Sequence, residues 1–272
     1  MQLTGVLSIG LLIAIAFLDL DVKGKVLNTS LIRKTRTLIY SWLAATVIYI
    51  LIQIAYLLEQ PFLASLDPTV IRSYLTQTSI GKSYLLQILG IGLLLLIPLK
   101  KVISTYVALL ISLVAITAPV FQSHGSTSGY HALAIGALVV HVVALSFWVG
   151  GLFGLTQLSK GNKLLALPRF SEIALWSAIA VVLTGAATAW TRLDSIAAWQ
   201  SKYGAVTLLK IFLAITLIGI GALHRKWIIK SDYPSVFRLI TAEILIIPAL
   251  AHQHHKPTKL ERELVVQAFQ FQ

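Results

Sequence analysis

Residues 131–158 read HALAIGALVVHVVALSFWVGGLFGLTQL, an apolar run without aspartate, glutamate, lysine or arginine. A helix that crosses the hydrocarbon core of a bilayer needs about 20 mostly apolar residues, and this run provides them. The whole chain is similarly apolar, with 57% hydrophobic and 12% charged residues. Because soluble domains usually carry about 25% charged residues, the composition predicts an integral membrane protein.

Seven further runs have the length and apolar character of a membrane span, or nearly so: Leu3–Leu20, Thr37–Leu58, Ile80–Leu99, Val102–Phe121, Phe170–Trp190, Tyr203–Leu223 and Val236–Ala251. We therefore predict an all-α membrane domain of about eight transmembrane helices in residues 1–251, followed by a tail at residues 252–272. The first run lacks a preceding basic segment and a following small-residue cleavage site. This favours a retained helix over a cleaved signal.

Basic side chains are unevenly divided between the loops of this arrangement. One set of loops holds Lys23, Lys25, Arg33, Lys34, Arg36, Lys100, Lys101, Lys160, Lys163, Arg169, Arg225, Lys226, Lys230 and Arg238. The opposite loops hold Arg72, Lys82, Arg192 and Lys202. Lysine and arginine collect in cytoplasmic loops, so both termini and the tail are predicted to be extracytoplasmic. The net charge of +12 then reflects loop orientation, and no nucleic-acid partner is expected.

A short sequence pattern occurs twice. Ser79-Ile80-Gly81 and Leu85-Leu86-Gln87-Ile88 are matched, at the same spacing, by Lys202-Tyr203-Gly204 and Leu208-Leu209-Lys210-Ile211. Two halves of the same orientation would produce such a pattern. We predict two four-helix halves in parallel repeat, at about 1–125 and 126–251.

Three ionisable residues fall inside predicted spans. Counting from the outer helix ends at 1.5 Å per residue, His141, Lys210 and Glu243 lie about 15, 9 and 12 Å deep. A charge at the centre of a span costs about 2.5–3.5 kcal/mol, which predicts a functional polar layer. The structural alternative is that Lys210 extends outward or pairs with Glu243, while His141 bonds a backbone carbonyl.

Most of the other histidines lie near the outer surface: His124, His131, His252, His254 and His255. Imidazole binds copper, zinc, nickel and iron, so their clustering predicts an outer metal-capture site. Each could also be an ordinary polar residue at a helix end. Because the chain has no cysteine and only the initiator methionine, the candidate metal ligands are His124, His131, His141 and Glu243.

Small residues follow Trp148 in the sequence Trp148-Val149-Gly150-Gly151. Gly150 and Gly151 would permit close helix approach. Trp148 is alternatively typical of an interfacial anchor. Together with Lys210 and Gly204, these residues are predicted to have structural or gating roles.

An ordered set of motifs runs from the fifth predicted span to the eighth: His141, Trp148-Val149-Gly150-Gly151, Arg169-Phe170-Ser171, Thr184-Gly185, Trp190, Tyr203-Gly204, Leu208-Leu209-Lys210, Arg225-Lys226 and Glu243. Over residues 141–251 this set resembles the copper resistance protein D (CopD) family of bacterial inner-membrane proteins. The first half is similar more loosely, through its helix count and His124. The chain departs from the family at two places. The family usually has asparagine at the position of His224, and the sequence from His252 is not typical of the family.

The resemblance implies a multi-pass protein of the bacterial cytoplasmic membrane that moves copper. It also implies a small periplasmic copper-binding partner of the CopC type. We predict a copper permease or copper-handling protein without catalytic chemistry. Outer histidines would collect the ion and His141 would receive it. Glu243 would offset its charge, and Lys210 would act as counter-ion or gate.

Two alternative functions differ from copper handling in what the protein would bind. Inward-facing histidines of a membrane bundle can hold haem b, which would make the protein an electron-transfer or oxidase-assembly factor. A structural subunit of a larger complex would bind neither copper nor haem.

Overall fold

The computed structural model describes residues 1–18, 29–59, 61–99, 101–122, 131–190 and 199–229. All regular structure within these residues is helical. The α-helices are α1 (Gln2–Ile13), α2 (Thr29–Leu58), α3 (Pro68–Gln77), α4 (Ser79–Leu96), α5 (Val102–Thr117), α6 (His131–Leu145), α7 (Gly151–Thr156), α8 (Lys160–Trp190) and α9 (Lys202–Ile229). A π-helical turn, Ala14–Leu18, continues α1, and a second one, Ser146–Gly150, joins α6 to α7. Two 3₁₀ turns are Phe62–Leu66 and Ala118–Gln122.

Among the described residues, six helical segments are long and apolar enough to cross a membrane: Thr29–Leu58, Ser79–Leu96, Val102–Phe121, Leu133–Thr156, Leu165–Ala189 and Gly204–Gly221. Gln2–Leu18 is a shorter apolar helix. For the described residues, the prediction of an all-helical, multi-pass membrane protein is confirmed. The predicted last span, Val236–Ala251, lies outside the described residues, so the count of about eight stays a prediction.

Two long helices begin earlier than hydropathy predicts. Helix α2 begins at Thr29 rather than Thr37, and α8 begins at Lys160 rather than Phe170. The 30 residues of α2 measure about 45 Å, whereas a hydrocarbon core is about 30 Å thick. Basic residues such as Arg33 therefore occupy helical turns rather than loops. Lysine and arginine are good helix formers, and a turn in water needs no apolar face.

Helix α3 was not predicted, although its start is readable in the sequence. The Asp67 carboxylate accepts a hydrogen bond from the Thr69 N–H at 2.8 Å, and Pro68 occupies the first helical turn. Both are standard signals of a helix start. With 10 residues, α3 is too short to cross a membrane, so a search for long apolar runs passes over it.

The described residues form two compact units. The first contains residues 1–8 and the described part of 29–122, and the second contains residues 9–18, 131–190 and 199–229. In the first unit a stripe of α2 at helical spacing is buried: Leu31, Thr35, Ile39, Trp42, Thr46, Ile50, Ile54 and Leu57. The end of this stripe packs against Tyr74 of α3 and Tyr84 of α4. Burial raises the pKa of Tyr74 well above its usual range, so its phenol stays neutral.

The end of α4 is capped by a side chain from α2. The Arg36 guanidinium donates hydrogen bonds to the carbonyls of Leu94, Leu95 and Ile97. The last carbonyls of a helix have no intrahelical partner and carry partial negative charge. A hydrogen bond to a charged group is worth about 1.5–3 kcal/mol, so Arg36 ties α2 firmly to α4.

In the second unit the first helix touches the region around α7 backbone to backbone. A Cβ placed on Gly10 would lie 1.9 Å from the Gly150 carbonyl oxygen. One placed on Gly154 would lie 2.2 Å from the Gly10 carbonyl oxygen and 3.0 Å from the Ala14 Cβ. Gly10 and Ala14, like Gly150 and Gly154, are four residues apart. Small residues at this spacing allow membrane helices to approach closely.

Candidate functional site

A side-chain hydrogen bond links α6 to α8 inside the second unit. The Nδ1 atom of His141 lies 3.0 Å from the Oγ1 atom of Thr184. His141 belongs to the candidate span Leu133–Thr156, and Thr184 belongs to the candidate span Leu165–Ala189. Both side chains are half-buried. A titratable imidazole ring is therefore held from a neighbouring helix within a stretch of membrane-spanning length.

The α8 surface facing His141 is formed by Thr184 and Gly185. The Thr184 hydroxyl lies 2.6 Å from the Ala180 carbonyl oxygen and 3.2 Å from that of Val181. Threonine often bonds back to its own helix in this way when it lies in a span. A Cβ placed on Gly185 would lie 3.8 Å from His141 Cε1, an ordinary van der Waals distance. The imidazole therefore lies close to the α8 surface at Gly185 without crowding it.

A cationic residue acts on the same ring. Lys210, on α9, is half-buried and interacts electrostatically with His141. Helix α8 packs against both α6 and α9, which explains how the two residues come within range of each other. The field of an ammonium group opposes the arrival of a cation at His141. This arrangement is compatible with either role predicted for Lys210, counter-ion or gate.

The other predicted ligands are placed only in part. His131 is the first residue of α6, and the structure describes its backbone alone. The positions of His124, Glu243, His252, His254 and His255 lie outside the described residues. Within the described part of the chain, no three histidine, aspartate or glutamate side chains gather in a group that could hold a metal ion. The outer metal-capture site and the three-residue polar layer stay predictions.

Three of the predicted structural residues lie where α6 meets α7. Trp148, half-buried, and Gly150, buried, are in the π-helical turn between α6 and α7, a feature often found near functional sites. Gly151 is buried against Phe170, whose Cε2 would lie 2.9 Å from an added Cβ. Gly150 and Gly151 therefore lie at the close approach of this junction to α1 and α8.

Gly204 lies at the start of α9, and its counterpart in the sequence pattern, Gly81, lies near the start of α4. A hydroxyl three residues earlier accepts the glycine N–H in both cases: Thr78 at 2.9 Å and Ser201 at 3.1 Å. A Cβ on either glycine would lie about 2 Å from a preceding carbonyl oxygen. The two helix starts are thus locally alike, while the repeat arrangement of the helices stays a prediction.

Two features of the site were not assigned roles from the sequence. Thr184 was noted only as part of a motif, and its contact with His141 depends on which faces of α6 and α8 meet. The signal available was a threonine inside an apolar run. Gly10 and Gly154 were not singled out, although each lies four residues from a small residue at the same contact.

The fold and this site define the class: a multi-pass helical membrane protein with a histidine held inside its second unit. Two family models match the chain, Copper resistance protein D over residues 164–259 and Copper resistance protein D-like, N-terminal domain over residues 1–132. Neither the search of curated proteins nor that of solved structures gives a match. The chain belongs to the copper resistance protein D family, which confirms the resemblance and suggests a role in copper resistance or handling.

Proposed function

We propose that this protein moves copper ions across the bacterial cytoplasmic membrane and that His141 is a copper ligand on the path. The observation that carries the proposal is the half-buried His141 ring, bonded to Thr184 across two candidate spans. Imidazole is a good copper ligand, and polar residues within spans commonly mark ion pathways. Family membership supports copper as the ion.

The remaining ligands of the path follow the sequence predictions. His124 and His131 would collect the ion at the outer surface, and Glu243 would offset its charge at the depth of His141. Lys210 would repel the cation until Glu243 engages it. Copper is cargo in this scheme and no bond of a substrate is broken, so the protein is not an enzyme. A periplasmic protein of the CopC type would be the partner that delivers or accepts the ion.

The proposal includes an orientation in which both termini are extracytoplasmic, supported by the bias of basic residues. Reporter fusions at Ser159 and Ser231 should then read cytoplasmic, and a fusion at Ser126 should read external. An alkaline phosphatase and green fluorescent protein pair provides opposite signals at each site. An external signal at Ser159 would contradict the eight-span arrangement with both termini extracytoplasmic.

Metal content and absorption of detergent-purified protein separate copper handling from the haem alternative. We expect protein incubated with copper and then desalted to retain the metal, and its spectrum to lack a Soret band. The His224→Asn variant, which carries the residue usual in the family, should retain the same amount. A Soret band in protein without copper would instead support the haem alternative, and retention of neither would support a structural subunit.

A further inference from the structure

The contact between His141 and Thr184 determines which ring nitrogen carries the hydrogen. A threonine hydroxyl has one proton to donate and lone pairs to accept with. The Thr184 oxygen lies 2.6 Å from the Ala180 carbonyl oxygen, a normal O–H···O distance that requires the proton to lie between the two oxygens. The proton of Thr184 is thus used on its own helix.

The hydroxyl of Thr184 can therefore only accept from His141. The Nδ1 atom at 3.0 Å must be the donor and must carry a hydrogen. In a neutral imidazole with hydrogen on Nδ1, the lone pair is on Nε2.

We propose that Thr184 is a positioning residue that holds the neutral His141 ring in its Nδ1–H tautomer, so that Nε2 is the atom offered to copper. This inference rests on the proposed function for the identity of the ion. A histidine that binds a metal through one nitrogen usually donates its other N–H to a neighbouring acceptor. Here the acceptor is a hydroxyl whose own proton is fixed by the backbone of α8. Gly185 places no side chain over the adjacent ring carbon.

Nitrogen NMR of protein labelled with ¹⁵N-histidine tests the tautomer without any metal present. The His141 signals are assigned by their loss in the His141→Gln variant. We expect a protonated Nδ1 and an unprotonated Nε2 in the wild type and in Thr184→Ser, which keeps the hydroxyl. In Thr184→Val, which removes the acceptor at similar side-chain size, the hydrogen should shift to Nε2 in a large fraction of molecules. A wild-type ring protonated at Nε2, or a Thr184→Val ring unchanged from wild type, would overturn the inference.

Copper binding, measured with Cu(I) and Cu(II) against a competing chelator, provides the second measurement. Loss of a group that orients a metal ligand typically costs about 10–100-fold in affinity, and we expect this for Thr184→Val. Thr184→Ser should restore most of the affinity. The matched control is Thr216→Val. The exposed Thr216 hydroxyl donates a hydrogen bond to the Phe212 carbonyl of its own helix, α9, at 2.9 Å. If Thr184→Val changes the tautomer but binds copper as wild type does, the assignment of Nε2 as the ligand is wrong.

Different results contradict the proposed function of His141 and the proposed role of Thr184. If His141→Gln binds copper as tightly as the wild type, the proposed function of His141 is wrong, whatever the tautomer. If His141→Gln loses binding while the tautomer is independent of Thr184, His141 is a ligand and the role of Thr184 is wrong.

Discussion

Proteoliposomes containing the His141→Ala variant should take up no more copper than liposomes without protein. Removing the ring removes the proposed ligand inside the second unit. Removing a residue that only orients a metal ligand typically lowers affinity or activity by about 10–100-fold. The loss of copper uptake in His141→Ala should be larger than this. The structural cost should be small, since one half-buried hydrogen bond to Thr184 contributes about 0.5–1.5 kcal/mol.

The comparison needs two readouts from the same preparation, copper flux and thermal unfolding in detergent. His224→Asn is the matched histidine control and should keep both near the wild-type values. Normal flux through His141→Ala would make His141 a packing residue and remove the inner station from the proposal. A large fall in unfolding temperature together with lost flux would favour the structural alternative for this histidine.

Replacing Gly154 with alanine should destabilise the protein, whereas the same replacement at Gly136 should stabilise it slightly. The new Cβ at Gly154 would lie 2.2 Å from the Gly10 carbonyl oxygen, so the α1 and α7 backbones must separate. No side-chain rotation relieves a contact with backbone. Forcing extra atoms into a well-packed contact costs about 1–3 kcal/mol.

Gly136 is the matched control because it lies in α6 with no atom within 4 Å of an added Cβ. Alanine there should gain about 0.5–1 kcal/mol from better helix propensity. The measurement is the apparent unfolding temperature of both variants in one detergent. Gly10→Ala, which meets the Gly150 carbonyl oxygen, should behave like Gly154→Ala. Equal shifts in Gly154→Ala and Gly136→Ala would show that the close backbone contact does not form.

The sequence alone determined the helical, membrane-spanning character of the chain and its family. A span must be about 20 apolar residues long whatever it packs against, so hydropathy finds it without knowledge of its neighbours. Where a helix extends into water this constraint ends. The first turns of α2 and α8, and the whole of α3, therefore escaped prediction. Their helical state depends on caps and propensity, which are weaker signals than a long apolar run.

His141 could be selected from the sequence because an ionisable side chain inside a membrane-spanning apolar run is energetically costly and therefore rare. Its partner could not be selected, since Thr184 lies 43 residues away and reaches the ring only where α6 and α8 face each other. The contact of Gly10 with Gly150 joins residues even further apart in sequence. Hydropathy indicates whether each segment can lie in lipid, and it does so for one segment at a time. Which faces meet is decided by packing and hydrogen bonds between helices, and only the tertiary structure contains them.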